Sequence, residues 1–306
     1  MSEENHKGER IAKRIARAGI CSRRDAEKRI EQGRVHVNGK VIDSPALNVT
    51  DEDRIKVDGK ALPEVEHTRL FLYHKPPGLV TTHKDDRGRA TVFDELPDYM
   101  PRVVSVGRLD LNTEGLLLLT NDGGLSRFLE LPTTGWKRRY RVRVNGKVNE
   151  KRLKSLKNGI TVEGVRYKSI DAILDPTPEG KEDSSANSWI TVTITEGKNR
   201  EIRRVMEALG LKVTRLIRTD YGPFTLGKMN RGVVEEVNTR LLNTHLSGYM
   251  KEKGIEKPPQ SSSDRSKNVQ GKNQKFSKNK GKNDFKTRKF SQNSTKNSKF
   301  SKKDKK

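Results

Sequence analysis

The 306 residues are only 31% hydrophobic but 34% charged, and Lys and Arg outnumber Asp and Glu by 64 to 40, giving a formal net charge of +24 and a pI near 10.1. That balance excludes one fully packed globule of this length, and it points away from a neutral metabolic enzyme towards a polyanion, because each cation that neutralises a phosphate releases counterions. A soluble, cytoplasmic protein of about two domains plus extra segments is expected: no stretch approaches a membrane span, Met1-Ser2-Glu3-Glu4-Asn5 carries no apolar leader, and a single cysteine, Cys21, leaves no internal disulfide or multi-cysteine metal site.

In chain order, residues 10–18 place Ile11, Ile15 and Ala18 on one helical face, and Gly19 supplies a stop. Ser22 is an N-cap for a second helix that buries Ala26 and Ile30 and ends at Gly33. Cys21 lies in the turn between the two, where a small packed thiol fits better than a nucleophile. The runs 35–37 and 40–42 flank Asn38-Gly39, which suits a tight hairpin turn, and Ile55 to Val57 adds a strand before Asp58-Gly59. Arg14, Arg17, Arg23, Arg24, Lys28 and Arg29, with Arg34 after them, crowd this small module, a one-sided excess of positive charge. Nothing is assigned to His6 or His36.

Residues 61–68 read as a linker. A strand over Leu70 to His74 is broken by Lys75-Pro76-Pro77-Gly78, since proline lacks a donor and Gly78 permits a tight turn. Asp85 and Asp86 belong to a solvated loop, two adjacent carboxylates without a third ligand being a poor metal site. The chain then reads as strand (103–106), loop (107–115), strand (116–119) and polar stop, which puts Asp110 on a loop between two strands. On spacing alone such an aspartate is either a turn residue capping its own backbone or a group offered to a substrate.

A short helix over 124–131 stops at Pro132. In the strand 137–144, Tyr140, Val142 and Val144 share one face, and Arg139, Arg141 and Arg143 the other. Tyr140 is thus an inward aromatic on a basic strand, open to a core role or a site role. An exposed loop over 176–188 leads to a strand at 189–194. Then a helix buries Ile202, Val205, Met206 and Leu209, with Arg203 flanking that face and Arg200, Arg204 and Glu207 farther round. Arg203 is either solvated or, with its stem on the core, a guanidinium beside a buried carboxylate. A helix near 239–246 closes the fold. Residues 251–306 hold 19 basic and 5 acidic side chains and almost no aliphatic ones, so this tail is expected to be disordered. Its Lys-Phe-Ser repeats, at Lys275, Lys289 and Lys299, suit either RNA anchoring or simple solubilisation.

The segment Gly107-Arg108-Leu109-Asp110-x-x-Thr113-x-Gly115-Leu-Leu-Leu-Leu-Thr-x-Asp-Gly resembles the signature of pseudouridine synthases of the RsuA/RluB branch, and Glu196-Gly-x-Asn-Arg-Glu-Ile-Arg-Arg204 and Lys75-Pro-x-Gly78 are similar to further motifs of that family. Arg89-Ala90-Thr91 stands where relatives have Arg-Pro-Thr. The N-terminal module resembles the RNA-binding domain named for small-subunit ribosomal protein S four, through Arg10-Ile-Ala-x-x-x-Ala-Arg-Ala-Gly19, Ser22-Arg-Arg-x-Ala-Glu27 and Gly33-Arg-Val-x-Val-Asn-Gly39.

The resemblance covers about residues 9–246 and implies an α+β chain with an S-four-like domain at 9–60, a linker at 61–68 and a catalytic domain at 69–248 on a mixed, largely antiparallel sheet; composition alone adds the disordered basic tail at 249–306. It implies isomerisation of uridine to pseudouridine in ribosomal RNA, with no metal and no organic cofactor. Asp110 would be the nucleophile, Tyr140 would stack on the flipped uracil, and Arg203 would hold Asp110 as a carboxylate and aim it. Arg108 and Lys75 join Arg14, Arg17, Arg23, Arg24, Lys28 and Arg29 of the small domain as expected RNA contacts. Of possible targets, 23S RNA or a pre-ribosomal particle fits the pattern better than 16S RNA. A non-catalytic assembly factor is the rival outside the class. The protein is expected to act as a monomer without contact to membranes.

Overall fold

Residues 8–176 and 187–252 are described in a computed structural model of the chain, all within one compact unit. The expected tail therefore lies outside the described residues from 253 onward, as do residues 177–186 of the expected loop. Among the described residues no helix is long and apolar enough to cross a membrane.

The N-terminal module follows the sequence closely. β1 (Glu9–Arg10) leads into α1 (Ile11–Arg17), and α2 (Arg23–Glu31) starts at Ser22, whose hydroxyl accepts from Asp25 N. β2 (Val35–Val37), β3 (Lys40–Ile42), β5 (Ile55–Val57) and β6 (Lys60–Ala61) form a four-stranded sheet in the order β3-β2-β5-β6, while β4 (Asn48–Val49) pairs with β1. Asn38-Gly39 and Asp58-Gly59 turn the two hairpins with positive φ at both residues of each pair, which lets the turn twist match that of the strands. Ile11, Ile15, Ala26 and Ile30 pack on Val35, Val37 and Val57, with Cys21 buried beside them.

The catalytic-size domain is built on a nine-stranded sheet. Its strands are β7 (Leu70–Lys75), β8 (Val104–Ser105), β9 (Glu114–Thr120), β10 (Arg138–Asn145), β13 (Asp171–Leu174), β14 (Asn187–Ile194), β15 (Lys212–Tyr221), β16 (Phe224–Thr225) and β17 (Val234–Glu236). The main path is β13-β14-β10-β15-β9-β7-β17, and every pairing is antiparallel except β15 with β9. That parallel junction is two residues long, Ile217 opposite Glu114 and Arg218 opposite Gly115.

All seven residues of β9 are buried because both faces are covered. Leu117 and Leu119 join Phe71, Tyr73, Val142, Val192 and Val205; Leu116 and Leu118 join Leu125, Leu129, Leu242 and Leu246. Leu125 and Leu129 lie on α3 (Gly123–Glu130), Leu242 lies on α6 (Thr239–His245), and Leu246 follows α6 directly. Strand β10 alternates as the sequence predicts, with Tyr140, Val142 and Val144 in and Arg139, Arg141 and Arg143 out. α5 (Glu201–Ala208) buries Ile202, Val205 and Met206 against the same cluster.

Several boundaries move. The strand expected at 103–106 shrinks to β8, β14 begins at Asn187 inside the expected loop, and α7 (Ser247–Glu252) carries ordered helix past the expected limit at 248. Between β10 and β14 lie α4 (Glu150–Ser155) and the hairpin of β11 (Ile160–Val162) with β12 (Val165–Tyr167), for which no periodic signal stands in the sequence.

Candidate active site

The loop between β8 and β9 crosses one wall of a cavity of 430 Å³, within the range of small-ligand sites. Asp110, Tyr140, Arg108 and Arg203 all line it. The loop is irregular, so its carbonyls need partners other than a strand ladder, and the chain supplies them one by one. Thr81 Oγ1 donates to Leu109 O at 2.9 Å, Gly78 N to Leu111 O at 2.8 Å, and Thr113 N to Asp110 O at 3.0 Å. Arg203 Nη2 donates to Asn112 O at 2.9 Å, and Lys75 Nζ reaches Thr113 O at 3.0 Å, with Asp110 O and Leu111 O at 3.3 and 3.4 Å. All five consecutive carbonyls, from 109 to 113, are thereby held.

The Asp110 carboxylate, by contrast, accepts no hydrogen bond among the described residues. Its one ion-pair partner there is Arg200, at 3.6 Å. This removes the backbone-capping alternative and leaves a carboxylate presented by a braced loop.

Lys75 is not available to RNA. The end of β7 places it wholly inside, 0% exposed, where its ammonium also donates to Pro76 O, and burial pulls its pKa down to about 8. Its role is to collect loop carbonyls, so the expected RNA contact is withdrawn.

Arg203 also differs from expectation. It donates to Asn112 O and, at 3.4 Å, to Val213 O, and it makes no ion pair with Asp110. The two do sense each other's charge, but burial and neighbouring Arg200 bring the Arg203 pKa below its ordinary value. Arg200 takes the direct pairing because it is not on the helix: its φ of +51° sets it in the left-handed region just before α5, so its side chain departs from the helical wheel.

Two acids went unnoticed in the sequence. Glu114 is buried at the start of β9 and held by Arg215 and by Arg231 at 2.7 Å, cations that keep its pKa low against the opposing effect of burial. Glu201, only 3% exposed, lines the cavity with Oε2 accepting from Lys198 N at 2.9 Å and Oε1 without a hydrogen-bond partner among the described residues; burial lifts its pKa to about 7. A Glu at a helix start reads as a capping residue, so nothing in the pattern marked it as a cavity wall.

In the small domain, Arg14 pairs with Asp51 and Glu9, Arg17 with Glu9, and Arg29 with Asp58, whereas Arg23, Arg24 and Lys28 stand exposed without an ion-pair partner among the described residues. Arg108 is exposed and likewise unpaired there. Among the described residues no group of three His, Cys, Asp or Glu side chains converges as metal ligands would.

Residues 69–208 match the family described as RNA pseudouridylate synthase, and residues 9–55 match the S4 domain. An uncharacterized RNA pseudouridine synthase of Rickettsia felis is 48% identical over 234 residues, covering 76% of this chain and 99% of the relative. Ribosomal large subunit pseudouridine synthase B of Yersinia pestis is 42% identical over 245 residues, covering 77% of this chain and 74% of that protein. A crystal structure of a pseudouridylate synthase superposes with a TM-score of 0.54 at 27% identity, covering 78% of this chain and 99% of the other. With 48% identity over 99% of the Rickettsia felis relative, an S4 domain in front and the matching catalytic fold behind, the chain belongs to the RNA pseudouridine synthases, a family of isomerases.

Proposed function

We propose that this enzyme isomerises a uridine of 23S ribosomal RNA, with Asp110 as the nucleophile. The observation that carries the reading is the braced loop: five carbonyls held by the protein and one carboxylate left to face the cavity. The reaction breaks the N1–C1′ bond and forms a C5–C1′ bond, while C5 loses a proton and N1 gains one, so it balances within the nucleotide. A covalent step at Asp110 divides the barrier, and a fixed loop keeps the attacking oxygen in place without reorganisation.

A stacked uridine cannot reach a cavity of this kind, so the nucleotide is flipped out of its helix. Tyr140, on the rigid strand β10 and 8% exposed, offers its ring to the displaced base, and Arg108 meets the flanking backbone. The S4 domain, residues 9–60, grips structured RNA through Arg23, Arg24 and Lys28, which are exposed and have no ion-pair partner among the described residues. The large-subunit target is favoured by relatives named for that activity at 41–42% identity.

The test is pseudouridine mapping of ribosomal RNA from cells lacking the gene, complemented with wild-type or Asp110→Asn copies. Loss of one 23S site, restored only by wild type, is the expected outcome. Restoration by Asp110→Asn would refute the nucleophile, and loss of a 16S site would refute the target.

A further inference from the structure

Six cationic side chains line the cavity, and four are tied down by the protein. Arg138 donates to Thr195 O and Tyr221 Oη, Lys198 pairs with Glu196, Arg203 donates to Asn112 O, and Arg218 donates from Nε to Leu116 O. Arg108 has no partner among the described residues. Arg200 has one, the carboxylate of Asp110.

We propose that Arg200 is an exchangeable counter-ion, paired with Asp110 while the cavity is empty and transferred to a backbone phosphate of the target nucleotide when RNA enters. The inference rests on Asp110 being the nucleophile.

Three features support it. The first is the weakness of the contact: at 3.6 Å, with the Arg200 side chain 50% exposed, it is a long pair in reach of water, of the kind easily broken. A phosphate offers the guanidinium a shorter, two-pronged alternative. The second is position. Arg200 sits at φ +51°, a conformation unusual for a side chain of this size, while its carbonyl accepts from Arg204 N at 3.0 Å at the start of α5. The fold thus keeps a strained residue where its side chain reaches the exposed edge of the catalytic carboxylate. The third is access. A nucleotide carbon must approach an Asp110 oxygen, and the guanidinium lies against Oδ2; Arg203, fixed to the carbonyls of Asn112 and Val213, has no such freedom.

The experiment measures binding of an unmodified 23S RNA transcript by the full-length chain across a salt titration, with turnover of the same transcript in parallel. Arg200→Gln is expected to weaken binding about tenfold, the worth of one charged hydrogen bond, and to flatten the plot of log affinity against log salt by about 0.7, the slope of one phosphate contact on single-stranded RNA. The loss should fall on KM more than on kcat, and Arg200→Lys should restore the slope. Asp110→Asn, which frees Arg200 in the empty site, is expected to bind about threefold tighter than wild type.

An unchanged salt slope in Arg200→Gln overturns the proposal. So does a fall in kcat with KM intact, since Arg200 would then be a fixed partner of Asp110. These binding measurements need no turnover; if the wild-type chain fails to modify the transcript, the proposed substrate fails, and the slopes still decide the role of Arg200.

Discussion

Replacing Gly115 by alanine tests whether the two halves of the site are joined where the structure joins them. Gly115 has φ +107°, and a Cβ there would stand 2.3 Å from Arg218 O and 2.7 Å from Arg218 N. Both atoms are backbone, so no side chain can swing aside. Relief requires β9 and β15 to part by about an ångström at their two-residue parallel junction. The backbone strain costs about 1–3 kcal/mol, and each weakened ladder bond about 1 kcal/mol, so a loss of about 3–5 kcal/mol is expected. For a folded part of this size that corresponds to a melting temperature lower by about 10 °C. Turnover should fall as well, even well below the melting point, because Asp110 is carried from the β9 side and Tyr140, opposite Arg218, from the β15 side. Gly123→Ala is the control: it lies at the start of α3 with nothing within 4 Å of its Cβ, so alanine there is neutral or stabilises by about 0.5–1 kcal/mol. Differential scanning calorimetry of the three proteins, with turnover of an RNA transcript, decides the matter. A Gly115→Ala protein that melts with wild type would refute the tightness of the junction, and full turnover would refute its link to the site.

Two further predictions concern buried ionisable groups. Glu201 has its pKa raised from 4.5 to about 7 in the fold, so the native state binds more protons than the unfolded chain across that window and stability declines as pH rises through it, by at most about 3 kcal/mol. Glu201→Gln removes the decline and yields the more stable protein above pH 7, read by urea unfolding at acidic and alkaline pH; parallel pH profiles for the two proteins would sink the argument. Lys75 has its pKa lowered from 10.5 to about 8, so the unfolded chain binds the extra proton and native stability climbs as pH rises from about 8 towards 10.5. Lys75→Met should lack that climb and lose about 2 kcal/mol near neutral pH, as carbonyls such as Thr113 O lose their donor while a buried charge is relieved; a melting temperature unchanged from wild type would refute the bracing role.

The positions of Asp110 and Tyr140 were legible, on a loop between two apolar runs and on a strand whose alternation turns one aromatic inward, and both line the cavity; spacing left open what either does there, and only the family motif singled them out. The β-hairpins of the small domain were legible through Asn38-Gly39 and Asp58-Gly59, where local chemistry fixes the turn. Lys75 was misread because Lys-Pro-Pro-Gly resembles a surface turn. Yet strand parity carried the information, since residues 71, 73 and 75 are all buried on one side of β7. Arg200 was misplaced because helical periodicity was extended one residue too far, across a left-handed position that no residue type announces when it is not glycine or asparagine. α4 and the β11–β12 hairpin escaped because elements of three to six residues are too short to establish a period, and their conformation is set by packing against the sheet.

The cations around Asp110 are arranged by depth, and depth decides what each can do. Lys75 lies beneath the loop, fully buried and committed to its carbonyls. Arg203 is half-buried beside it, fastened to Asn112 O. Both sense the charge of Asp110 and neither pairs with it directly. Their attraction therefore persists whatever enters the cavity, and it strengthens as a base displaces water and lowers the local dielectric. Among the described residues Arg200 alone pairs with the carboxylate, from the solvent side, where its attraction is most screened and most easily exchanged. In the proposed role of nucleophile Asp110 needs both kinds of neighbour: if all its cations paired with it directly, the attacking oxygen would be blocked, and if none stayed behind, an arriving phosphate would meet an uncompensated carboxylate. Fixing two cations through backbone carbonyls and leaving the third on an exposed turn meets both requirements.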